Sequence, residues 1–140
     1  MEYYTLVDNA TSLTDEIVND LNVIIDKALV IDLTIPDYME ARENPKKMYI
    51  SYGNLTNFYN DLNSAILKAN HLLLSLKDII DKIASTKNIQ YTANKEVISK
   101  FKALASRVKE KIDMVKEFKT SLEYTLKFYN SMSYMFNYSY

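Results

Sequence analysis

Lys95, Lys102, Lys109 and Lys116 recur every seven residues. On a helix that spacing sets them in one lengthwise row, roughly 10.5 Å apart. A row of ammonium groups is what phosphate-backbone binding uses. Lys100, Arg107 and Lys111 broaden it, so Lys95, Lys102, Arg107, Lys109 and Lys116 form a candidate polyanion face. Glu96, Glu110, Asp113, Glu117 and Glu123 lie among them. The same stretch therefore also reads as a solvated face with intrahelical pairs, Glu96–Lys100 and Glu123–Lys127.

The C-terminal segment offers a different chemistry. After Lys127 no charged side chain occurs, and Phe128, Tyr129, Met132, Tyr134, Met135, Phe136 and Tyr138 dominate residues 128–140. Tyr129, Met132 and Phe136 continue a core face at helical spacing, whereas Phe128, Met135 and Tyr138 point elsewhere. An aromatic, Met-rich surface without charge is what protein interfaces favour. Phe128, Tyr129, Met132, Tyr134, Met135, Phe136 and Tyr138 are thus the candidate protein interface, with Tyr38, Tyr49 and Tyr52 nearby. The alternative is that the segment folds back under the Tyr-rich 38–52 stretch.

Catalytic chemistry finds little footing. His71 is the single histidine and sits on the polar side of its helix, with no carboxylate at pairing distance in the sequence. Asp37, Glu40 and Glu43 recur every three residues and could offer oxygens to a divalent cation, although a solvated acidic turn fits them as well. There is no nucleophile with an adjacent base, no Gly-rich phosphate loop and no cysteine. The expectation is a protein without enzymatic activity, cofactor or metal.

These residues are positioned by helices. Leu55, Phe58, Leu62, Ala65, Ala69, Leu72, Leu76, Ile79 and Ile83 step by three and four without a miss, and Tyr59, Ile66, Leu73 and Ile80 form a second row beside them. Two adjacent apolar rows bury a wide face, which demands a multi-helix bundle rather than a two-stranded seam. One glycine and two prolines in 140 residues leave little for hairpins and tight turns. The spacing predicts an all-α antiparallel bundle of three long helices, with a short helix in the 33–53 connection.

The first long helix should run from Ser12 to Asp32, with Ser12-Leu13-Thr14-Asp15 as a capping box and residues 1–11 as a short arm. Pro36 would open the short helix (Asp37 to Glu43), and Asn44-Pro45 would stop it. Gly53-Asn54 is the last turn signal before a helix from Asn54 to Ala84. Thr92 or Asn94 would cap the third, which has an interruption near Lys119, Thr120 and Ser121. Whether residues 94–136 are one helix or two is left open by the pattern. One domain spans 1–140.

Net charge is −1, but it is unevenly placed. Residues 1–45 hold ten acidic residues against Lys27 and Arg42, and residues 46–140 hold fifteen basic residues against eight acidic. Either the acidic first helix lies against the basic last one, or a basic face is kept for a polyanion or an acidic partner. No apolar stretch reaches the ~20 residues of a membrane span, and no N-terminal run has the form of a signal peptide. A cytoplasmic or intracellular viral setting is the expectation.

Two family resemblances attach to short motifs. Ile50-Ser51-Tyr52-Gly53-Asn54-Leu55, then Tyr91-Thr92-Ala93-Asn94-Lys95-Glu96, then an aromatic C-terminal helix look like the small helical subunit of type III CRISPR effector complexes. There a Thr-Thr-Ser segment opens a helix with a following Arg, and a Tyr-x-Ala-Gly-Arg segment comes later. Here Thr56 stands at the first Arg and Asn94-Lys95 replaces Gly-Arg. That resemblance implies an RNA-associated structural subunit. Leu122-Glu123-Tyr124 with Asn130, late in a long helix, is similar to the end of flagellar export chaperones of the FlgN type, which implies a protein-binding chaperone.

The leading expectation is a non-enzymatic protein acting through protein–protein interaction or self-assembly, as an adaptor, chaperone or assembly subunit, with another protein or itself as partner. The alternative is a nucleic-acid-associated subunit using the basic face. A small viral coat or host-inhibiting protein is a further alternative.

Overall fold

The structure, a computed structural model, describes the backbone of residues 2–31, 38–86 and 91–138 and the side chains of residues 3–31, 39–86 and 94–132. Four helices and no strand occur among the described residues: α1 (Glu2–Val30), α2 (Tyr38–Glu43), α3 (Pro45–Ser85) and α4 (Tyr91–Tyr138).

Both apolar rows of α3 are used. Leu55, Phe58, Leu62, Ala69, Leu76 and Ile83 are buried, as are Ile66, Leu73 and Ile80 of the neighbouring row. A helix with two buried rows can serve two neighbours, and α3 packs against both α1 and α4. Paired residues give the directions. Lys68 meets Glu16 and Asp20, whereas Leu62 lies beside Ile24 and Ala28, so α1 and α3 run antiparallel. Tyr59 meets Glu123 and Asn94 reaches Ile83, so α3 and α4 also run antiparallel. Ile17, Leu21 and Ile24 of α1 and Val108, Ile112, Val115 and Leu122 of α4 complete the core.

The helix ends depart from the sequence expectation in three places. Residues 2–11 are helix, not an arm, and Ala10 is fully buried. Ser12–Asp15 is accordingly no cap. The Thr11 and Thr14 hydroxyls donate back to the Val7 and Ala10 carbonyls at 2.9 and 2.8 Å, so side chains that resemble a cap are satisfied inside the helix.

The second departure is at the start of α3. Asn44-Pro45 does end α2, with the Asn44 N–H donating to the Glu40 carbonyl at 2.9 Å. It also begins α3: Asn44 is its N-cap, accepting from the Lys47 N–H, and Pro45 occupies the first turn. Gly53 is therefore inside a helix rather than in a turn. A Cβ built there meets nothing within 4 Å. Gly53→Ala should raise stability by about 0.5–1 kcal/mol in urea denaturation, because the glycine only adds unfolded-state entropy at that position. Unchanged or lower stability would mean that the helix does not persist through residue 53.

The third departure is at the start of α4, which begins at Tyr91 rather than after a Thr92 or Asn94 cap. α4 is one unbroken helix of 48 residues, one of the two alternatives the pattern leaves open. Thr120 and Thr125 donate to the Lys116 and Ser121 carbonyls, at 3.1 and 3.3 Å, so the polar stretch does not interrupt the ladder. Asn94 lies inside this helix. Its Nδ2 donates to the Ile83 carbonyl in the last turn of α3, at 3.4 Å, tying the two helices where they meet.

Candidate functional site

Helical phase sorts the basic residues of α4 into two groups. Lys102, Lys109 and Lys116 face a groove between α3 and α4, to which α1 contributes no lining residue. Arg107 is two residues from Lys109 and thus roughly 160° around the helix, at 3.6 residues per turn. It shares its side with Lys100 and Lys111, whose ammonium donates to Asn22 of α1 at 2.7 Å. Arg107 is exposed but does not join the lysine row. Lys95 is exposed on the row's own side, one step beyond the groove.

The groove has two adjoining parts. One, of about 490 Å³, is lined by Lys77, Ile80, Asp81, Lys102, Ala105, Ser106 and Lys109. The other, of about 240 Å³, adds Asn70, Leu73, Leu74, Ile112, Asp113 and Lys116. Its floor is apolar and its walls are lysines from both helices. Lys77 comes from α3, so no reading of the α4 sequence alone could find it. Among the described residues Lys77, Lys102, Lys109 and Lys116 have no ion-pair partner, although Asp81 and Asp113 border the same groove.

The expected intrahelical pairs do not form among the described residues. Glu123 instead accepts from the Tyr59 hydroxyl at 2.8 Å and lies 4.0 Å from Lys119, whose ammonium is 5.6 Å from the Tyr59 ring centre. The hydrogen bond to Glu123, and then lost solvent, hold the Tyr59 phenol above its ordinary 10.0. Lys127 lies against the Tyr124 ring at 5.8 Å.

The acids of α1 meet α3 and not α4. Lys68 is 2.8 Å from Asp20 and 3.4 Å from Glu16. The buried Asp20 Oδ2 has no other partner among the described residues. Hydrogen bonding to Asp20 and then Glu16 raises the Lys68 ammonium above its ordinary 10.5. The outward face of α1 carries Asp8, Asp15 and Asp26, all exposed and without an ion pair among the described residues.

The candidate protein interface divides. Tyr129 is fully buried and Met132 nearly so, with the Tyr129 ring edge-on to Tyr52 at 6.1 Å. These two residues belong to the core of this chain, and α4 brings Tyr129 to the 38–52 stretch as a continuous helix. Phe128 and Tyr124 are 55% and 69% exposed on α4, and Tyr49 is 50% exposed on α3. The side chains of Tyr134, Met135, Phe136, Tyr138 and Tyr38 lie outside the described residues, as does Asp37.

No group of three His, Cys, Asp or Glu side chains among the described residues could hold a metal ion. His71 is exposed. No helix among the described residues is long and apolar enough to cross a membrane. Tyr91–Glu96 does open a helix, α4, but Ile50–Leu55 lies well inside α3 rather than at a helix start. No family model, curated protein or solved structure matches the chain.

Proposed function

We propose that this chain is a non-enzymatic interaction protein that works by presenting helical surfaces, and that its principal surface is the α3–α4 groove, built for an acidic partner. The observation that carries this reading is the set of four lysines, Lys77, Lys102, Lys109 and Lys116, that converge from two helices without ion-pair partners over an apolar floor. Four lysines against Asp81 and Asp113 leave the groove net positive, and an excess of one sign beside a low-dielectric wall focuses its field on whatever enters. Apolar side chains on the same partner would be taken by Leu73, Leu74 and Ile80. Phe128 and Tyr124, exposed on the far half of α4, support a second contact of apolar character.

The test uses fluorescence anisotropy with a labelled poly-glutamate peptide and a short DNA duplex as probes. The triple variant Lys102→Glu, Lys109→Glu, Lys116→Glu should weaken binding of the acidic probe by on the order of tenfold or more. Lys46→Glu, Lys100→Glu, Arg107→Glu changes net charge equally away from the groove and should leave most of the binding. Equal losses in both variants, or none in either, would overturn the groove as the site. Phe128→Ser should leave probe binding unchanged and act only on a partner that contacts the far end of α4.

A further inference from the structure

The molecule carries an acidic ridge as well as a basic groove, on opposite sides. Asp8, Asp15 and Asp26 share the outward face of α1, while the groove lies between α3 and α4 with no α1 residue in its lining. Neither set of charges is paired among the described residues. We infer that the acidic partner of the groove is the outer face of α1 from a second copy of this chain, which docks there as an additional helix. This inference rests on the groove reading above and names its occupant.

Spacing and surface character both fit. Asp8 and Asp15 are seven residues apart, the interval that separates Lys102, Lys109 and Lys116. With Asp8 opposite Lys116 and Asp15 opposite Lys109, Asp26 falls about 16.5 Å further along, one turn from both Lys102 and Lys95. The same face of α1 exposes Val23 (58%) and Val30 (83%), and Leu74 on the lip of the groove is 65% exposed. Apolar side chains beside the ridge are matched by the apolar floor of the groove. A nucleic-acid backbone has no use for that floor; Asp81 and Asp113 oppose phosphates and the ridge alike, and the groove's lysines outnumber them.

Because ridge and groove are different surfaces facing opposite ways, the contact is heterologous. Each copy that docks leaves a free groove at one end and a free ridge at the other, so association runs on into an open chain of copies unless the rotation closes it into a ring. Surface charge contributes to this contact and salt screens it.

The test is light scattering on the full chain with two variants. One is Asp8→Asn, Asp15→Asn, Asp26→Asn; the other is Lys102→Glu, Lys109→Glu, Lys116→Glu. At about 50 mM salt the unmodified chain should form species of two or more copies that dissociate at about 500 mM. Each variant alone should be monomeric, with the helical content of the unmodified chain. Mixed in equal amounts they should form a dimer and nothing larger, since one supplies only the groove and the other only the ridge. An unmodified chain that is monomeric at about 50 mM salt, association that survives in either variant, or a mixture that stays monomeric would each overturn self-docking. If the chain is monomeric but the groove variant alone loses the poly-glutamate probe, the groove reading stands and a different acidic partner fills it. If preferential DNA binding is lost instead, the partner is nucleic acid and self-docking falls.

Discussion

Tyr129→Ala should lower stability by about 3–5 kcal/mol, the range for deleting a buried aromatic side chain. Tyr129 is the largest fully buried side chain among the described residues, in the far half of α4. Its ring stands edge-on to Tyr52 at 6.1 Å with an interplanar angle of 65°, a geometry that adds about 0.5–1.5 kcal/mol to the burial itself. The neighbouring Phe128, one residue away and 55% exposed, provides the control: Phe128→Ala should change stability by less than about 0.5 kcal/mol. Urea denaturation followed by circular dichroism measures both. A chain ended at Lys127 loses Tyr129 and Met132 together and should be destabilised at least as much, so shortening the chain there tests the core before it tests any interface. Equal effects at 128 and 129 would mean that α4 does not hold this phase at its end.

Leu62→Ala is the second large effect, about 2–5 kcal/mol. Leu62 is fully buried at the point where all three long helices meet, beside Ile24 and Ala28 of α1 and Val115 and Phe118 of α4. Removing three carbons there opens space that side chains from three helices would have to move together to refill. A small apolar cavity of about 110 Å³ already lies at this junction, and the deletion enlarges it rather than making a new one. Leu67, five residues on and 71% exposed, is the matched comparison, and Leu67→Ala should cost less than about 0.5 kcal/mol. A thermal melt separates the two cases by several degrees per kcal/mol or more. If Leu62→Ala were as mild as Leu67→Ala, α1 would not be seated on α3 and α4 as described.

The sequence made the sides of these helices legible and their ends illegible, for a physical reason. Burial repeats with the helical period, so Leu55, Leu62, Leu76 and Ile83 declare themselves many times over. A terminus is declared once, by a few polar side chains that have other ways to be satisfied. Thr14 could have capped a helix, and it donates to Ala10 one turn back. Gly53-Asn54 could have made a turn, and it is helix because Asn44 and Pro45 start α3 earlier. The same distinction runs through the site. The lysine row was visible as a heptad, since Lys102, Lys109 and Lys116 share one helix. Lys77 was not, because only the packing of α3 on α4 brings it across. Arg107, taken with Lys100 and Lys111 as broadening the row, lies on another side of α4 by helical phase. Tyr129 and Met132 stand among the interface candidates for want of charge although their spacing continues the core face, and both are buried.

An unbroken α4 also acts as a ruler. Lys102 and Phe128 lie on one continuous helix, 26 residues apart, which sets them roughly 39 Å from each other. The near end of the groove, at Lys116, is 12 residues and roughly 18 Å from Phe128, so one rigid element fixes both the distance and the angle between the two surfaces. Their spacing is written into the number of residues between them, so inserting or deleting a turn of helix would change the distance and rotate one surface about the other.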